Sequence, residues 1–348
     1  MRSIIQLAAA FAAVTSAAPA EAVPSSRVKA EAPSQSEPET IRAAAEFEAY
    51  SAWLLALDRS QASANEAVQS LQGAWQAAIA TADSRRAAAT FRPAVARAIE
   101  ALDAAHADLA AVETPDFPLL DLPEDLRTAP LLAVFRQSNR DLRTGIEGFY
   151  PMVDALQRRD QSGFDAAVDR LMGAFRIVML SQATMLRASL AATPRDESSW
   201  EVVNIQLLAA NASVRLMTAW PAIQSRRPDP SFAPDMLAIA EQLDGHAAEG
   251  ARKLETELIA ISADLADAEA ARDSASTFLL RRGVAALVAT RQIFPPARTL
   301  AATLRERAPQ LRGAIDLQAV AALSSAIRAA RLEFERVATE EVEAVAGN

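Results

Sequence analysis

The chain contains no cysteine. Packing alone must hold the fold, and a thiol nucleophile, a thiol-attached haem and the lipid-bearing cysteine of a bacterial lipoprotein are all excluded. Histidine is almost as scarce, with only His106 and His246, so few side chains change charge near neutral pH. Glycine numbers only 10 in 348 residues. No phosphate-cradling glycine loop, Gly-x-Ser-x-Gly elbow or His-Glu-x-x-His pair is present. Lysine stands only at Lys29 and Lys253, and 35 basic residues against 44 acidic ones give a net charge of −9. An acidic chain repels polyanions, which argues against nucleic acid or an anionic membrane surface as partner. The preference for arginine and the abundance of alanine resemble the codon bias of a GC-rich bacterial genome.

What is present begins with a leader-like segment. Met1-Arg2-Ser3 is followed by an apolar or small run over 4–18, and small residues stand at Ala18, Ala20 and Ala22. A charged start, a short apolar core and an Ala-x-Ala end form the pattern of a secretory signal peptide. Cleavage is expected after Ala20 or Ala22, and the apolar run is shorter than the roughly 20 residues a bilayer span requires. No later stretch is both long and free of charge; 177–192 is crossed by Arg187. The expectation is a periplasmic or secreted chain with no stable membrane insertion after cleavage. Residues 23–39, rich in Pro, Ser and Glu, read as a flexible spacer.

From Ile41 onward the apolar period is helical. Phe47, Tyr50, Leu54, Leu57, Gln61, Ala64, Val68, Leu71, Trp75 and Ala78 recur at steps of three and four, a seam facing a partner helix. A second helix spans about 84–112, with Pro93 near its start suggesting that its regular part begins only there. Residues 114–130 carry Pro115, Pro118, Pro123 and Pro130 among Phe117, Leu119, Leu120 and Leu122, which predicts a strap laid over a bundle. Ser162-x-x-Asp165 is expected to cap the next long helix, and Thr193-Pro194-Arg195-Asp196 the one after it. Further helices run to Pro221, to about Ala271, to Pro295-Pro296, to Pro309, and from about Asp316 to Val345. No segment alternates like a strand. The fold class is therefore all-α, a bundle of about nine or ten helices in two halves, 40–192 and 193–348.

An internal duplication is suggested by Ala67-Val68-x-x-Leu71-x-Gly73-Ala74-Trp75 and Ala167-Val168-x-x-Leu171-x-Gly173-Ala174-Phe175. Ala319-Val320-x-x-Leu323 echoes it. Gly73 and Gly173 would admit a neighbouring backbone closely; chance recurrence in an alanine-rich helical chain gives the same pattern.

Candidate sites are few. Asp103-x-x-His106 and His246-x-x-Glu249 each place an acid one helical turn from an imidazole, as two metal ligands or as a base with its orienting acid. A partly buried histidine satisfied by one neighbour is the commoner explanation. Gly245-His246-Ala247-Ala248-Glu249-Gly250 is similar, over these residues only, to the Gly-x-His-x-x-Glu signature of imelysin-like periplasmic helical proteins; Asp244 stands in place of its first glycine, and the rest of the chain carries no further likeness to that family. Met172, Met179, Met185 and Met217, with Phe117 on the strap, are candidates for an apolar ligand pocket, or plain core. Glu335, Glu340, Glu341 and Glu343 read as a solvated helix end. No cofactor is implied. Three functions follow in order: an exported binding or scaffold protein without catalysis, with a protein partner or self-association; a carrier of an apolar small molecule; and a metal protein or enzyme centred on His246 and Glu249.

Overall fold

The computed structural model describes residues 42–346, apart from scattered positions between 43 and 82, the stretch 121–126 and residue 314. The leader and spacer lie outside the described residues, as do Phe47, Leu54, Gln61 and Val68 of the first seam and Leu122 and Pro123 of the strap. Among the described residues there is no strand, and the architecture is the expected all-α bundle. No helix among them is long and apolar enough to cross a membrane.

The described residues between 42 and 78 are helical and form a first stretch. It is followed by α1 (Ser84–Ala111), α2 (Thr128–Glu147), α3 (Phe149–Arg158), α4 (Gln161–Ala192), α5 (Ser198–Thr218), α6 (Trp220–Gln224), α7 (Phe232–Ala270), α8 (Ser274–Thr290), α9 (Phe294–Arg307) and α10 (Leu317–Ala346). α1 packs on α2 and α3, both of these reach α4, and α4 leans on α5. α7 is the spine of the remainder, covered by α5, α8 and α9, while α10 closes against α8, α9 and α5. The main core cluster draws residues from both sides of 192–193, from Ala64 to Val337.

The seams explain why these helices pack. On α7, Ala233, Met236, Ala240, Leu243, Ala247, Gly250, Leu254 and Glu257 are all buried and succeed one another at steps of three and four, which keeps one stripe facing inward. Tyr50, Leu57, Ala64, Leu71, Trp75 and Ala78 are buried in the same way in the first stretch. Beyond Glu257 the environment of α7 changes. No described residue in 258–285 is buried, so the end of α7 and the start of α8 form an arm whose Leu258, Ile261, Leu265, Phe278 and Val284 are only half-covered.

Several local signals are settled differently from expectation. α1 runs from Ser84 straight through Pro93, its first turn held by the Asp83 carboxylate accepting from Arg85 N–H. Phe91, Ala94 and Val95 are buried on both sides of the proline, and their packing outweighs the backbone hydrogen bond that proline cannot make. α4 is capped by Asp160, which accepts from Gly163 N–H at 2.8 Å, not by Ser162. Residues 194–197 form a turn, Glu197 N–H donating to Pro194 O, and α5 begins only at Ser198. Pro130 belongs to the first turn of α2, so the strap is shorter than 114–130. Gly73 and Gly173 meet nothing: a Cβ there would find no neighbour within 4 Å, because both sit on the outer side of helices whose Trp75 and Phe175 face inward. Close approach occurs at Gly250, where a Cβ would lie 2.5 Å from Phe294 Cε1 and 3.0 Å from Glu201 Cβ.

Candidate functional site

The strap ties the first helical stretch to the bundle. Phe117 packs edge-on against Tyr50 at 5.5 Å, Trp53 Nε1–H donates to Glu113 O at 2.8 Å, and the Thr128 hydroxyl donates to Pro115 O. Phe117 joins a small cluster with Tyr50, Trp53, Leu57 and Phe135, whereas Met172, Met179 and Met217 are buried in the main core. Phe117 and these three methionines therefore belong to separate clusters, and the methionines are packed as core. The side chain of Met185 lies outside what is described.

The two histidine pairs are also placed apart from their expected partners. Asp103 turns to Arg143 at 2.5 Å, and His106 Nδ1 is enclosed without a hydrogen-bond partner among the described residues. Glu249 pairs with Arg252 at 2.5 Å, whose guanidinium holds the carboxyl below its ordinary range. Asp244 pairs with Arg305.

His246 instead meets a residue from another helix. Its Nδ1–H donates to Glu201 Oε2 at 2.6 Å, since a carboxylate can only accept. Lys253, two turns further along α7, donates from Nζ to Glu201 Oε1 at 2.6 Å and to Arg195 O at 2.5 Å. Trp200 stands beside both, its ring 5.6 Å from the imidazole and 5.4 Å from the ammonium. Glu201 is 3 % exposed and His246 24 %, so a buried acid orients a half-open imidazole. Gly250 makes this possible, because only a residue without a side chain lets α7 come so near the stem of Glu201. One turn on, Glu257 accepts from Ser198 N–H at 2.8 Å and Ser198 Oγ–H at 2.6 Å. A carboxylate from α7 thus performs the capping of α5 that residues 193–196 were expected to supply.

A second polar cluster lies on α10. Arg331 is buried and donates to Gln182 Oε1 at 2.7 Å, with Met179 Sδ against its other nitrogen. Glu335 Oε1 and Arg328 Nε are enclosed without a hydrogen-bond partner among the described residues. Burial pushes Glu335 up to about 8 against the pull of Arg331 and Arg328, and pulls Arg331 down to about 10. Glu341 is buried too, and is pushed up to about 8, offset in part by Thr290. The acidic run is therefore only partly solvated: Glu340 pairs with Arg336 at the surface, while Glu335 and Glu341 turn inward. The signal was present in the spacing, since Glu341 follows Val337 by four and continues the stripe of Val320, Leu323, Ile327, Ala330 and Phe334. The Glu201–His246 contact joins residues 45 apart and has no signal in local spacing.

Chemically, the α5–α7 cluster is a base with an orienting acid and an adjacent cation. A metal would want further anionic or imidazole ligands, and no group of three or more His, Asp or Glu side chains converges in that way among the described residues. Compared with protein-family models, with curated proteins and with solved structures, the chain matches none.

Proposed function

We propose that this is an exported, all-helical binding or scaffold protein that acts without catalysis. The observation that carries the reading is the α7–α8 arm. Its apolar side chains are half-covered over 258–285, and Ile259 beside them is 68 % exposed. An apolar stripe left incompletely covered at the surface marks a contact for a partner. Several groups with reactive potential support the same reading, because they tie one helix to another: Glu201 and Glu257 join α5 to α7, and Asp103 joins α1 to α2.

The test is complementation of a strain lacking the protein. His246→Gln is expected to restore function, and Ile259→Glu, at a site too exposed to disturb folding, is expected to fold normally and fail. Loss of function in a folded His246→Gln protein would overturn the reading. A second reading draws on one specific feature, the buried acid that orients His246, which is how a general base or a metal-bound imidazole is held. It predicts bound metal or pH-dependent turnover lost on Glu201→Gln, and elemental analysis of the purified protein decides the metal version.

A further inference from the structure

The outer end of the molecule holds an open hollow where α7, α8 and α10 meet, lined by Glu269, Arg272, Thr277, Phe278, Arg281 and Arg282, with Ala344 on one wall. Three arginines and one glutamate line it, in a chain whose net charge is −9. Glu269 is engaged by Arg281 at 2.8 Å, and the Arg282 guanidinium lies over the Phe278 ring at 4.0 Å from its centroid. Arg272 stands at the turn between the helices with φ 58°. The N-terminus of α8 makes no anion site of its own, because Asp273 already accepts from Ser276 N–H and Oγ–H.

We propose that this hollow docks an acidic segment of a partner protein, its carboxylates meeting Arg272 and Arg281 and its apolar side chains resting on Phe278. This deepens the binding reading given above and rests on it. Charge complementarity carries the choice of occupant. Arginine forks bind carboxylates in fixed geometry, a stacked guanidinium is held flat by its ring, and the local excess of arginine over carboxylate in the lining gives the hollow the sign an acidic segment requires, against the repulsion of the chain's overall charge. The hollow adjoins the half-covered stripe of 258–285, so one partner segment contacts both.

Fluorescence anisotropy of a labelled ten-residue peptide of alternating Glu and Ala, titrated with the full chain, tests the assignment. Binding is expected to weaken steadily with added salt and to be absent for the corresponding Lys–Ala peptide. Arg272→Gly/Arg281→Gln should lower affinity about tenfold, a change of roughly 1.4 kcal/mol, whereas Arg158→Gln/Arg312→Gln, which removes equal charge elsewhere, should leave it unchanged. Glycine at 272 suits the left-handed backbone, so the first variant retains its fold, which circular dichroism verifies. Equal peptide affinity for the two double variants overturns the proposal. So does capture of the protein by vesicles of anionic phospholipid without peptide binding, or self-association as the sole response to Arg272→Gly/Arg281→Gln. If the hollow variant complements a deletion strain while Ile259→Glu does not, the docking assignment fails and the binding function stands; if His246→Gln alone fails, the binding function itself falls.

Discussion

The α5–α7 interface and the outer end formed by α7, α8 and α10 are built on the same helical period, yet they are finished differently. At the interface each buried carboxylate meets donors: Glu201 has His246 and Lys253, and Glu257 has both donors of Ser198. At the outer end Glu341 is buried and held well above the ordinary carboxylate range, and the neighbouring arm buries no described residue at all. The difference teaches that a continuous seam in sequence does not imply a continuous core. α7 keeps its steps of three and four past Glu257 through Ile261 and Leu265, but fewer helices remain to cover them.

The largest effect should come from comparing the two halves of α7 directly. Leu254→Ala removes a buried side chain from the main cluster and is expected to cost about 2–5 kcal/mol, as large-to-small core changes do. Ile259→Ala, five positions on and mostly exposed, should change stability by less than about 0.5 kcal/mol. Urea denaturation of both variants measures the contrast. Similar losses would mean that the arm is enclosed in solution and would break the comparison.

The carboxylates give the next contrast. Glu335 and Glu341 rise from 4.5 to about 8 on folding because burial penalises the ionised form. Their stabilising contribution is complete below pH 4.5 and is lost as pH rises through about 8, because above 4.5 the unfolded chain releases protons that the folded chain retains. The melting temperature should therefore fall between pH 5 and pH 9. Glu341→Gln should flatten that slope and raise the melting temperature at the alkaline end. An unchanged slope would show that Glu341 is solvated.

Glycine sharpens the contrast within the interface. Gly250→Ala forces a Cβ against the Phe294 ring and the Glu201 stem, and overpacking of this kind costs roughly 1–3 kcal/mol. Gly245→Ala meets nothing within 4 Å and should gain about 0.5–1 kcal/mol, the ordinary helix preference for alanine. Thermal melts that move in opposite directions are expected. In the arm, Gly283→Ala would meet only the Ile261 Cδ1 tip, a flexible end that can shift, and should be nearly neutral.

These residues also mark how much was legible in the sequence. The seams of α7 and α10, the long helices and the absence of strands follow from period and composition, because burial on one face imposes a spacing. The Glu201–His246–Lys253 cluster was not legible, since it depends on which helices become neighbours. Capping escapes local reading for the same reason: threonine and proline at 193–194 are a strong local signal, but a carboxylate from α7 reaches the first amide of α5. Glu341 carries two opposing signals: an acidic run near a helix end suggests solvent, while its place in the stripe points inward, and burial follows the stripe.

The smallest effects test whether the arm folds with the bundle. Arg159, Arg226 and Arg272 each take a positive φ of 55–58° just past a helix end. In each case the next amide bonds back into the last turn: Asp160 to Ala155 O, Arg227 to Ala222 O and Asp273 to Ala268 O. Glycine is at ease in that conformation, while a side chain costs about 1 kcal/mol. Arg226→Gly, between α6 and α7, should therefore raise global stability by about 0.5–1 kcal/mol. Arg272→Gly relieves the same strain at the tip of the arm, where no described residue is buried. If the arm opens ahead of the bundle, as its sparse burial implies, this second gain should be absent from the global transition and should emerge as slower amide hydrogen exchange confined to 258–285. Equal gains in global stability from both substitutions would show that the arm and the bundle unfold as one unit.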